Sequence, residues 1–297
     1  MLLNKPIPVS YVLNKIKYNI LYVLIVSIAV LWITEEFTHL LPEMPLTIPA
    51  FIGTAISILL SFKLNQSYDR WWEARKIWGA IVNDSRSLVV QLQSLVAKDN
   101  TAIIQKIAYR QIAWCYCLGQ SLRKQDPLAN MDQWMNSEEI EHIKKQQNKA
   151  LALLQLHAFD LKQLRDTAQI DAFAQIQIDN TLVRLCAAQG KSERIKSTVF
   201  PVTYRIFLQA IIYLFVVTLS IALKDVAGLF EIPLLLIISS AFFLLEKSAT
   251  HMQDPFENRA TDTPVSSIAK TIEINIKQLL MEKDIPNPMP TESFYVL

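Results

Sequence analysis

The run Pro45–Phe62, PLTIPAFIGTAISILLSF, contains no charged residue and passes at once into a segment dense in arginine, tryptophan and acids. As a helix at 1.5 Å per residue it spans about 27 Å, close to the thickness of one hydrocarbon core. The chain is therefore built around a helix that leaves a bilayer, with Lys63 read as the water boundary. Thr54, Ile58 and Phe62 recur every four residues and share one face of that helix. The stripe has two readings. One is packing between membrane helices, helped by the small Gly53, Ala55 and Ser57. The other is a ring of apolar side chains around a pore, one set from each of several subunits.

Arg70, Trp71, Trp72, Glu73 and Arg75 follow within two helical turns, and Glu73 stands three residues from both Arg70 and Lys76. Charges mixed with tryptophan at a membrane boundary form an interfacial anchor by default. Three further apolar segments accompany this one: Tyr18–Thr34, Ile206–Leu223 and the shorter Ile232–Leu245. Residues 1–17 carry Lys5, Lys15 and Lys17 and no acid, which places the N-terminus in the cytoplasm. The first run ends in Trp32, Thr34, Glu35 and Glu36 instead of a small-residue cleavage site, so it reads as a span and not a signal peptide. Both the segment after Lys63 and the C-terminal tail read as cytoplasmic, so the number of crossings is even and the fourth run must cross.

Gln66–Val199 holds 18 Lys and Arg against 14 Asp and Glu, with apolar residues at helical spacing. It reads as long helices broken near 98–100, around 126–132 and near Gly190. Ser266–Glu282 carries Ile268, Ile272, Ile276 and Leu279 on one stripe, an amphipathic helix ended by Pro286, Pro288 and Pro290, with the last residues loose. The expected fold is all-α: a polytopic membrane protein with four transmembrane helices and a large helical cytosolic region. Residues 1–65 carry the first two membrane helices, 66–200 the cytosolic helices, 201–248 the third and fourth spans, and 249–297 a cytosolic helix and tail.

Two blocks, SFKLNQSYDRWWEARKIWG with Asn83 and Arg86, and SERIKSTVFPVTYR over Ser192–Arg205, resemble the bestrophin family in its bacterial branch. Each lies beside a membrane segment, and the likeness extends over about residues 5–285. The resemblance implies a homopentameric ion channel in the bacterial inner membrane, multi-pass with both termini cytoplasmic. It implies a single central pore, an apolar neck and a wide cytosolic vestibule. By position, the family's neck residues fall on Thr54, Ile58 and Phe62; Thr54 departs from the apolar residue usual there. A small cytosolic constriction falls near Ile170, with Ile176 or Ile178 serving as well, although all three also suit the core of a helical bundle. Arg70, Trp71, Trp72, Glu73 and Arg75 would form a structural belt after the second helix. Glu35, Glu36 and Glu43 would stand at the outer mouth and favour a monovalent cation such as Na+, plain solvation of the loop being the other reading. The Asp254-Pro255-Phe256-Glu257 segment also resembles the family, but Asn258 and Arg259 stand where calcium-activated animal members continue with acids. No calcium clasp is expected. An anion channel of the same fold is the alternative, and a membrane-anchored, non-conducting scaffold or sensor is the contrasting class.

Other functions find little support. A formal net charge of +2 with no basic tract argues against nucleic acid as a partner. Five glycines assemble no phosphate-binding loop. Cys115, Cys117 and Cys186 lack a matching histidine cluster, and His39, His142, His157 and His251 are scattered. Neither a metal, a cofactor nor an enzyme activity is expected. The expected partners are copies of the chain itself, the lipid bilayer and permeant inorganic ions.

Overall fold

A computed structural model describes residues 1–36, 43–97, 100–198, 200–227, 230–291 and 293–297, without the side chains of 34, 35 and 224–227. The described residues are almost entirely helical and divide into two compact units. The first comprises Lys5–Arg70 and Val199–Gln253; the second comprises Met1–Asn4, Trp71–Thr198 and Asp254–Leu297.

The first unit carries the membrane helices: α1 (Val9–Glu36), the N-terminal half of α2 (Thr47–Leu95), α7 (Val202–Ala227) and α8 (Glu231–Gln253). Each is long and apolar enough to cross a bilayer. The uncharged run Ile232–Leu245, only 14 residues long, lies inside the 23-residue α8, which gives it the length of a span. Pro45 precedes α2 and Pro49 sits in its first turn, where a missing N–H costs nothing. No proline follows within the helix, and α2 continues for 49 residues, about 73 Å, far more than a bilayer requires. The tryptophan and arginine belt therefore lies within α2 and not after it. The core of this unit gathers Ile16 and Val23 of α1, Ile56 and Leu60 of α2, Leu208, Ile212, Phe215 and Val216 of α7, and Leu235 and Phe243 of α8.

The second unit contains the rest of α2 with α3 (Thr101–Leu122), α4 (Ser137–Lys144), α5 (Lys149–Asp166), α6 (Ala172–Ser197) and α9 (Val265–Leu279). Asn136, Asn148 and Asp171 cap α4, α5 and α6, each side chain accepting from the N–H three residues on at 2.7–3.0 Å. Trp78 and Trp114 are fully buried at the centre, and Ile268, Ile272 and Ile276 of α9 pack into the same core. Gly119 packs closely there: a Cβ at this position would meet Val265 at 3.4 Å and the Trp78 ring at 3.5 Å, ordinary van der Waals contact.

Two expectations are corrected. Gly190 breaks nothing; it lies inside α6, in open space on an exposed side. The break falls instead at 167–171, where Ala168 takes a left-handed conformation (φ 58°) and the Gln169 N–H reaches back to the Leu164 carbonyl at 2.8 Å. The tail is not loose either: Leu2 and Tyr295 form an antiparallel bridge, and the Ser267 N–H bonds the Leu297 carbonyl at 2.8 Å.

Candidate functional site

The membrane part of α2 has two unlike faces. Ile56 and Leu60 point into the core of the unit, exposed by 0% and 4%. Ile58 and Phe62 point away from it, exposed by 55% and 62%, and Thr54 is exposed on the same stripe. The Thr54 hydroxyl donates to the Ala50 carbonyl one turn earlier at 2.9 Å, and Ser57 does the same to Gly53 at 2.8 Å. The polar end of Thr54 is thus absorbed by its own helix and its methyl group is left for the stripe. The three residues expected at the neck form one continuous face that the chain itself does not cover.

The opposite face of α2 is held by side chains from α7 and α8. The Phe215 ring fills the place of a missing side chain at Gly53, where a Cβ would come within 3.2 Å. The Tyr204 hydroxyl donates to the Leu59 carbonyl at 2.8 Å. Lys63 corrects its expected role as water boundary. Its ammonium is completely buried and lies 2.8 Å from Glu246 Oε1, with exposures of 0% and 1% for the two side chains. Thr250 closes the group, its hydroxyl oxygen 2.8 Å from Lys63 Nζ and 2.9 Å from Glu246 Oε1. Two turns further, Arg70 Nε donates to the Gln253 carbonyl at 2.8 Å. Sequence reasoning missed Glu246 and Thr250, although a signal existed: Lys63 and Glu246 end two apolar runs with opposite charges.

The belt is only in part an ion-pair array. Trp71 and Trp72 stack with ring centroids 6.2 Å apart, and Trp71 Nε1 donates to the Thr261 carbonyl at 3.0 Å. Glu73 pairs with Lys76 at 2.7 Å on an exposed surface, and the Arg75 guanidinium lies beside Gly79. Of the three isoleucines expected near a cytosolic constriction, Ile170 and Ile178 are core residues, exposed by 4% and 1%. Both side chains are packed within their own chain. Ile176 stands out at 59%, and Phe173, one turn earlier and not singled out from the sequence, is also exposed. Glu36 and Glu43 are exposed, whereas the Glu35 side chain and residues 37–42 of the expected outer mouth lie outside the described residues.

At the Asp254–Glu257 segment the Lys196 ammonium lies 3.1 Å from Asp254 and 2.6 Å from Glu257. Hydrogen bonding from Asp254 and Lys196 holds the Glu257 carboxyl down at about 2, while burial pushes Asp254 up. Both carboxylates are thus already served by a tethered cation. Among the described residues no three His, Cys, Asp or Glu side chains converge as metal ligands.

Residues 6–278 match the bacterial and fungal bestrophin family. The chain is 30% identical over 286 residues to the voltage-dependent anion channel-forming protein YneE of Escherichia coli K12, covering 96% of this chain and 93% of that one. It is 27% identical over 250 residues to the voltage-dependent anion channel-forming protein RSc3414 of Ralstonia nicotianae, covering 82% and 80%. Its fold superimposes on the crystal structure of a bacterial bestrophin homolog from Klebsiella pneumoniae with a TM-score of 0.86, at 27% identity, over 91% of this chain and all of that one. The likeness runs through both units and includes the face of α2 described above, and the chain belongs to the bacterial and fungal bestrophin family.

Proposed function

We propose that this chain is the subunit of a homopentameric ion channel of the bacterial inner membrane, with both termini in the cytoplasm and one central pore. The observation that carries the reading is the uncovered stripe Thr54, Ile58 and Phe62 on a membrane helix whose other face is fully engaged. Exposed apolar faces on α1, α7 and α8 can meet lipid, and membership of the bestrophin family is what favours a pore for the stripe on α2. A ring of subunits turns the stripe inward as a narrow apolar neck that gates by excluding water. The part of α2 beyond Arg70 then belongs to the cytosolic vestibule, and the belt from Arg70 to Arg75 fixes the helix exit and subunit contacts. Ile176 is the residue of its group left to line a cytosolic constriction.

An apolar neck does not distinguish the sign of an ion, so selectivity is set elsewhere along the path. The Escherichia and Ralstonia relatives are named as anion channels, and on that ground we take an anion such as chloride as the permeant ion. The expected preference for Na+ finds no support in those names. One observation keeps it as the second reading: Glu36 and Glu43 are exposed at the outer connection. Calcium is not the activator in this account, because Lys196 already occupies the carboxylates of Asp254 and Glu257. The test is the reversal potential across a planar bilayer with unequal NaCl on its two sides. A value near that of chloride supports the anion reading and one near that of sodium the cation reading.

A further inference from the structure

In the unit that carries the membrane helices, close backbone approach joins α1 with α8, α7 with α8 and α1 with α7. The α2 helix packs into the same core through Ile56 and Leu60 and is tied in addition by long side chains that reach across. Two of these ties are charged and belong to one seam with α8. Lys63 meets Glu246 and Thr250, and Arg70 meets the Gln253 carbonyl. Positions 63 and 70 are seven apart, as are 246 and 253, so the two rungs lie two turns apart on both helices. The upper rung is closed and dry. Its ammonium and carboxylate are buried, and Thr250 bonds both.

Such a rung permits few positions. An ammonium without water is tolerated only beside its partner, so turning or sliding α2 along α8 by part of a turn strands both charges. Adjacent residues of a helix are about 100° apart, so holding Lys63 toward α8 turns Phe62 away from the core. Ile58 lies one turn behind Phe62 on the same stripe. We propose that Lys63 and Glu246 are positioning residues for conduction, setting the rotation and height of α2 and so the face that Ile58 and Phe62 present. This rests on the reading of that face as the neck.

The experiment compares currents of the purified full-length protein in planar bilayers. The variants are Thr250→Val, the paired Lys63→Met/Glu246→Leu, and the charge exchange Lys63→Glu/Glu246→Lys, beside Ile58→Ala/Phe62→Ala as the report on the neck itself. Thr250→Val and the paired apolar variant should each change conductance or open probability by about threefold or more, and the exchange should return it to within about twofold of the parent. A second readout does not depend on current. In a Cys186→Ser background, Ile58→Cys should react with a charged thiol reagent at a rate changed about tenfold by Lys63→Met/Glu246→Leu. Currents and rates unchanged in both tether variants, while Ile58→Ala/Phe62→Ala raises conductance, would overturn the proposal and leave the neck standing. Failure of the exchange to restore what the apolar pair altered assigns the pair to folding alone and overturns it as well. If the apolar pair does not elute as an assembled oligomer, Thr250→Val decides: an unshifted current overturns, a shifted one supports. An unchanged current in Ile58→Ala/Phe62→Ala removes the neck and the proposal with it.

Discussion

Lys63 and His157 are buried titratable residues with opposite solutions to the same problem. Lys63 is bonded by Glu246 and Thr250 in place of water. Lys63→Met alone leaves the Glu246 carboxylate without its partner and should cost about 3–5 kcal/mol, seen as a lower unfolding temperature in detergent. Lys63→Met/Glu246→Leu should recover most of that loss, and equal unfolding temperatures for the two variants would contradict the buried pair. His157 is 1% exposed with no partner for either ring nitrogen. Burial, and then the nearby Arg110 guanidinium, hold it well below the ordinary 6.5. The unfolded chain takes up this proton near 6.5 while the folded chain stays neutral. The contribution of His157 is therefore fully present above that pH and shrinks as pH falls below it. Unfolding temperatures measured between about pH 7 and about pH 5 should decline, and His157→Leu should flatten the decline; an unchanged slope removes His157 as a cause.

At the scale of elements, α2 and α9 answer to different forces. The face of α9 that meets the core is fully engaged, and Ile272→Ala should cost about 2–5 kcal/mol in a denaturant titration, since Ile272 is completely buried in that core. On α2 the exposed stripe predicts the reverse pattern. Ile58→Ala/Phe62→Ala should change the stability of the subunit fold by no more than about 0.5 kcal/mol while raising conductance in a bilayer, and a large loss of stability without a change in current would assign the stripe to packing. The stripe of α9 was legible because one period of isoleucines faces one core. The four spans were legible because their apolar runs lack charge. The interior of the second unit was read less well. Glycine at 190 costs α6 about 1 kcal/mol of propensity and suggests a break, yet the packing of the rest of α6 outweighs it. The actual turn before α6 depends on a left-handed alanine at 168, which leaves no mark in composition.

For the whole molecule, two blocks beside membrane segments were enough to recover the family, because each combines residue types that solve a local problem of position. Trp71 and Arg70 are bonded to backbone carbonyls far along the chain, a demand met by long side chains that carry a donor. The burial of Lys63 was not legible, since a lysine after an apolar run is ordinarily at the water boundary, and its partner lies 183 residues away. Ile170 and Ile178 could not be separated from Ile176 by spacing alone, because the start of α6 had to be known first. In the proposed assembly, ions pass through a neck formed by α2. The most direct test is the current carried by the purified oligomer across a planar bilayer under an NaCl gradient, beside Ile58→Ala/Phe62→Ala. The expected current reverses near the chloride potential and grows in the double variant; an assembled oligomer silent in both forms would rule out conduction through this neck.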